Sequence, residues 1–107
     1  MNMKECIENC SNCHNICLET LAYCLGKGGQ HVASAHMQAL LDCADTCRIS
    51  ADFMLRNSAL HGRTCGLCAE ACERCAKSCE AFGNDAQMKK CAEICRRCAK
   101  SCQEMAA

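Results

Sequence analysis

The spacing of its cysteines limits this chain more than any other feature. CAEACERCAKSC at 68–79 and CAEICRRCAKSC at 91–102 agree at ten of twelve positions. In both, thiols recur at gaps of four, three and four, which is the period of one face of an α-helix. CIENCSNCHNIC at 6–17 keeps all four slots, whereas CADTCRISADFM at 43–54 keeps two and places Ser50 and Met54 in the others. Four copies of one unit therefore make up the protein. Between them lie GKGG at 26–29, Asn57-Ser58 and Gly83-Asn84-Asp85, residues that stop and start helices. The pattern predicts helices near 4–25, 31–56, 59–82 and 86–105.

At 100° per residue, Cys6, Cys10, Cys13, Cys17 and Cys24 fall within about 60° of one another. Cys65, Cys68, Cys72, Cys75 and Cys79 span about 80°, and Cys91, Cys95, Cys98 and Cys102 about 60°. Cys43 and Cys47 share a stripe with His36, Leu40, Ser50 and Met54, and the charged residues lie mostly off these seams. Short links make neighbouring helices antiparallel, and each helix must bury its seam. The expected fold is all-α: residues 1–107 as one domain, an antiparallel four-helix bundle with a cysteine-lined core. Composition agrees, since Leu, Ile, Val and Phe number only 15 of 107, too few for an ordinary core, while cysteines number 16.

Charge and termini narrow the function. Twelve acidic residues balance twelve basic ones, so nothing in the charge favours nucleic acid or an anionic membrane. The start, MNMKECIENC, has no apolar signal core, and no run approaches the length of a membrane span. The expectation is a soluble cytoplasmic protein, where thiols serve as metal ligands more often than as disulfides. No Ser/His/Asp arrangement, phosphate loop or paired-carboxylate site supports an enzyme.

Four uses of the thiols compete. Cysteines on one helical stripe point along one wall, poor geometry for a dense disulfide set. An iron–sulfur loop wraps its cluster with C-x₂-C-x₂-C-x₃-C-P, whereas this chain alternates threes and fours through four helices without proline. Zinc takes four thiolates, each such site carries about two net negative charges, and several stacked in a dry bundle repel. Copper(I) is soft and monovalent and accepts two ligands. Residues i and i+4 bring Cβ atoms within roughly 5–6 Å on a helix. Seven C-x-x-x-C pairs do so: 6/10, 13/17, 43/47, 68/72, 75/79, 91/95 and 98/102. Sixteen thiolates take about eight ions if each ion holds two unshared sulfurs, and about sixteen if each sulfur bridges two. Burial favours the higher limit, because one copper(I) per thiolate is neutral. Storage of many copper(I) ions is the preferred function, with zinc sequestration and iron–sulfur electron transfer behind it.

Softer donors mark the ends. Helix direction gathers Met3, Met54, His61 and Met105 at one end, where weak ligands suit a mouth for copper(I). Tyr23, Cys24, Phe82 and Met88 gather at the other, where aromatics beside glycine turns favour closure. His14 and His31 are expected to face solvent.

The successive units CGLCAEACERCAKSCE and CAEICRRCAKSC resemble the bacterial copper storage proteins over about the whole chain. The resemblance implies a four-helix bundle that binds copper(I) inside, commonly as a homotetramer, and a place in the cytosolic branch. It assigns metal binding to all sixteen cysteines and mouth roles to His61 and Met54. The second unit departs from the pattern at Ser50 and Met54.

Overall fold

A computed structural model describes residues 2–106. Its helices are α1 Met3–Lys27, α2 Ser34–Leu55, α3 His61–Glu80 and α4 Ala86–Ala106, and no strand occurs among the described residues. Each helix lies beside its sequence neighbours, and α1 closes the ring against α4. The result is an up-down-up-down bundle of 42 × 19 × 17 Å. Diagonal helices keep their backbones apart, so a common axial space remains for side chains to fill.

The caps are legible residue by residue. Asn2 accepts the Glu5 N–H at 2.8 Å and opens α1. Gly28 and Gly29, at φ 69° and 57°, close it in a conformation that strains any side chain. Asn57, at φ 51°, ends α2: the Ser58 N–H reaches back to the Phe53 carbonyl (2.9 Å) and the Asn57 N–H to that of Met54 (3.0 Å). Asp85 Oδ1 accepts the N–H groups of Gln87 (3.1 Å) and Met88 (3.3 Å) and opens α4.

Two helices differ from the spacing, at three boundaries. The second helix begins at Ser34 rather than 31, because Gly29–Val32 forms a separate 3₁₀ turn and Ala33 is extended (ψ 139°). The third runs 61–80 rather than 59–82. Its expected first residues are taken up by Ser58, whose hydroxyl accepts the Leu60 N–H at 3.1 Å. Its expected last residues wind into a tighter turn, with the Phe82 N–H on the Cys79 carbonyl (3.1 Å).

All sixteen cysteines are buried, at 0–1% exposure. Leu40, Met54 and Met88 are the largest of the other fully buried side chains. The second unit's serine carries a cost: Ser50 is wholly buried and its hydroxyl has no hydrogen-bond partner. Leaving such a group unsatisfied costs about 1–3 kcal/mol. Ser50→Cys is therefore expected to stabilise the reduced, metal-free chain by about 1 kcal/mol in urea unfolding. A destabilised variant would show that the hydroxyl is not an orphan.

Candidate metal centre

The seams meet on the axis, where their sulfurs touch. Across the diagonals, Cys13 and Cys72 lie 3.9 Å apart, Cys17 and Cys75 4.0 Å, Cys43 and Cys95 3.9 Å, and Cys47 and Cys98 3.8 Å. Adjacent helices bring sulfurs closer, as in Cys13–Cys43, Cys43–Cys72 and Cys47–Cys68, all 3.5 Å. Along single helices, Cys68–Cys72, Cys98–Cys102 and Cys91–Cys95 stand at 3.7, 3.9 and 4.0 Å. The cysteine-lined core expected from the sequence is a filled column of sulfurs.

The column has an internal order. Sets of four sulfurs lie within 4.8 Å of one another: Cys10/68/98/102, Cys47/68/72/98, Cys13/43/47/72, Cys13/17/43/95 and Cys17/75/91/95. In that order each set shares two sulfurs with the next. Cys6 extends the ladder at one end, 3.8 Å from Cys102. Metal–thiolate bonds of roughly 2.3 Å let one ion link sulfurs up to about 4.6 Å apart, so ions can bridge these contacts with little movement.

The protons of the column are shared. Cys47 and Cys95 are pushed above the ordinary thiol value, chiefly by Cys10 and Cys13 respectively. Cys43 and Cys98 are held below it, chiefly by their hydrogen bonds with Cys13 and Cys10 respectively. One thiol can ionise only while its neighbours keep their protons, and wholesale ionisation needs cations to replace those protons.

The end away from Met3 is built differently. Cys24 Sγ lies 3.5 Å from His36 Nε2 and 3.8 Å from Met88 Sδ. Burial, then Asp85, pushes the Cys24 thiol up to about 11, and burial holds the His36 imidazole below its ordinary value. Phe82 packs on His36 and His31, with centroids 4.8 and 4.4 Å apart. Asp85 Oδ2 accepts from Tyr23 Oη (2.9 Å) and His31 Nε2 (3.0 Å). The aromatic closure expected from Tyr23 and Phe82 is present, with Asp85 as its hub.

The histidines read as solvent-facing are not so. His31 is half-buried against Asp85 and Phe82, and half-buried His14 donates Nδ1–H to the Ala44 carbonyl at 2.8 Å. Helical angle places a side chain on a face but not against a neighbouring element's loop. At the Met3 end, Met54 is 2% exposed, Met3 and Met105 are half-buried against the core, and His61 is half-buried. The His61 ring donates Nδ1–H to the Ser58 carbonyl (2.8 Å), which leaves the lone pair on Nε2. The sequence placed His36 on an inner face but did not pair it with Cys24 and Met88. His36 stands seven residues before Cys43, Cys24 seven after Cys17 and Met88 three before Cys91. The same seam, continued by one turn or two, carried the signal.

A four-helix bundle whose axis is a ladder of free thiols defines a class, the thiolate-lined metal-binding bundles. Within that class, the family model of the copper storage proteins matches residues 1–107, and the chain belongs to that family. The crystal structure of the Nmul_A1745 protein from Nitrosospira multiformis is 42% identical, with a TM-score of 0.92 over 98% of this chain and 94% of that one. The Cu(I)-bound copper storage protein BsCsp3 is 33% identical, with a TM-score of 0.89 over 97% of both chains. Metal-free Csp3 from Bacillus subtilis is 32% identical, with a TM-score of 0.88 over 99% of this chain and all of that one. An uncharacterized cysteine-rich protein of Bacillus subtilis, YhjQ, is 34% identical over 65 residues, which span 61% of this chain and 60% of that relative.

Proposed function

We propose that this chain stores and buffers many copper(I) ions on the sixteen thiolates of its axis, acting as one metal-binding unit without catalysis. The observation that carries this reading is the sharing of sulfur pairs between consecutive four-sulfur sets. Shared sulfurs suit a monovalent ion that bridges, and at one ion per thiolate the buried column is neutral. Zinc in the same sets accumulates negative charge wherever four thiolates hold one ion. An iron–sulfur core needs inorganic sulfide between its ligands, and sulfurs already in contact leave no space for it. The likeness to Cu(I)-bound BsCsp3 supports the same choice.

Anaerobic titration with copper(I) and with zinc, each against a chelator series, tests the reading. Copper(I) is expected to load toward one ion per thiolate. A preference for zinc at about four thiolates per ion would overturn it.

Loading should also release acid. A thiol such as Cys24, pushed up to about 11, is protonated at neutral pH in the metal-free chain. Copper(I) must therefore displace a proton, and binding strengthens as pH rises and weakens as it falls. About one proton per copper ion is expected in a weakly buffered titration, with affinity changing about tenfold per pH unit for each proton displaced. Loading without acid release would mean that the thiols are already ionised.

Copper enters, on this reading, at the Met3 end. Met54 and His61 Nε2 are weaker donors than thiolate and form a downhill path to Cys6 and Cys65. Met54→Leu with His61→Ala should slow loading, and removal of the ions nearest that end, while capacity stays unchanged. Wild-type loading rates in that variant would move the entrance elsewhere. Placement in the cytosol follows the family branch that the chain resembles. Self-association as a homotetramer follows the same resemblance.

A further inference from the structure

We propose that Cys24, His36 and Met88 form a mixed-donor copper(I) site that terminates the sulfur column at the end away from Met3 and holds the most readily exchanged ion of the store. The inference rests on the storage reading and adds a site with its own chemistry.

Every helix contributes. Cys24 comes from α1, His36 from α2 and Met88 from α4, while Ser78 on α3 orients the imidazole. Trigonal coordination with metal–donor bonds of roughly 2.0–2.3 Å separates the donors by about 3.5–4.0 Å. Cys24 Sγ stands 3.5 Å from His36 Nε2 and 3.8 Å from Met88 Sδ, within that range. Cys24 and Met88 are 0% exposed and His36 4%, so bulk water does not compete for the position.

The ring is held as a ligand needs it. His36 Nδ1 lies 2.6 Å from Ser78 Oγ. With Nδ1–H donating to that oxygen, the lone pair sits on Nε2 and faces the Cys24 sulfur. A second hydrogen-bonding group that fixes tautomer and orientation is the usual companion of a metal-bound histidine. Packing alone requires neither an imidazole nor a second sulfur at this place, since a leucine fills such a space without burying polar atoms.

Charge and donor strength set the role. One thiolate with one copper(I) is neutral, and imidazole and thioether add no charge, so the site suits its dry surroundings. Within the column each ion is held by thiolates alone, whereas here two of the three donors are neutral and weaker. Cys91, in the set with Cys17, Cys75 and Cys95, stands three residues after Met88 on α4, so the column begins one turn from the site. On the outer side Phe82, half-buried on the turn after α3, packs directly on the His36 ring.

Copper(I) is closed-shell, so nuclear magnetic resonance can follow the ring directly. The full chain with ¹⁵N-labelled histidine is loaded anaerobically with copper(I), and the ions are then withdrawn stepwise with a copper(I) chelator. The expected result is a shift of His36 Nε2 on loading, with Nδ1 still protonated, and its reversal with the first ion removed. Met88→Leu should keep the shift and weaken retention of that ion about tenfold, equivalent to about 1.4 kcal/mol. Full loading with an unmoved His36 would overturn the site, and a His36 signal that reverts last would overturn its exchangeable character. A chain that takes up no copper at all would instead fail at the storage reading and take this inference with it.

Discussion

Loading the reduced chain with copper(I) is expected to raise its thermal unfolding midpoint by tens of degrees, from a metal-free form that is already helical. Any ion that binds only the folded state stabilises it by mass action, by about 1.4 kcal/mol at each site when the free ion stands tenfold above its dissociation constant. With roughly one ion on each of sixteen thiols, the sum is on the order of 20 kcal/mol, above the 5–15 kcal/mol of a typical domain. The metal-free form keeps its helices for separate reasons. Asn2, Asn57 and Asp85 satisfy helix ends, and protonated thiols behave as small apolar core groups. Its stability should be modest, because Ile16, Leu40, Met54 and Met88 are the only large aliphatic side chains buried among the described residues. Far-ultraviolet dichroism of the two forms, heated anaerobically, measures both effects. A metal-free chain that reads as coil would mean that metal supplies the folding energy, as in a zinc finger. A shift of only a few degrees would mean that copper does not bridge the helices.

Much of this was legible because one residue type carries both packing and chemistry. A cysteine at i, i+4 and i+7 states which face is buried and which donor lies there, so the bundle and its axial thiols follow from one pattern. Periodicity fixes an angle around one helix but not the height at which two helices pair. The ladder order, in which one set shares Cys13 and Cys43 with the set on one side and Cys47 and Cys72 with the set on the other, needed the packed structure. Loops hid more. The 3₁₀ turn at Gly29–Val32 delivers His31 to Asp85, a contact across 54 residues that no local pattern announces. His36 could be placed on an inner face, but its partners Cys24 and Ser78 come from two other helices, and Met88 joins through Cys24 from a third.

Cutting the ladder at its centre should cost more copper than trimming its ends. Cys47 and Cys72 belong together to two consecutive sets, Cys47/68/72/98 and Cys13/43/47/72. Cys72 touches Cys43, Cys47 and Cys68 at 3.5, 3.6 and 3.7 Å, so its removal strips a bridging partner from each. Cys6 and Cys79 lie toward opposite ends and share fewer of these sets. Each Cys→Ala change deletes one buried sulfur, and both double variants lose about the same packing, on the order of 1 kcal/mol per site. Their metal-free melts therefore serve as the folding control. If ions bridge shared sulfurs, Cys47→Ala with Cys72→Ala loses its own two bridges and loosens those on Cys13, Cys43, Cys68 and Cys98. The expected loss is about four ions, against about two for Cys6→Ala with Cys79→Ala. Copper-to-protein ratios after gel filtration in a mild chelator give both numbers. Equal losses would mean that each C-x-x-x-C pair holds its ion independently and that the contacts between helices are packing. Unequal losses mean that copper itself ties the four helices together, and capacity then depends on position along the axis as well as on the number of thiols.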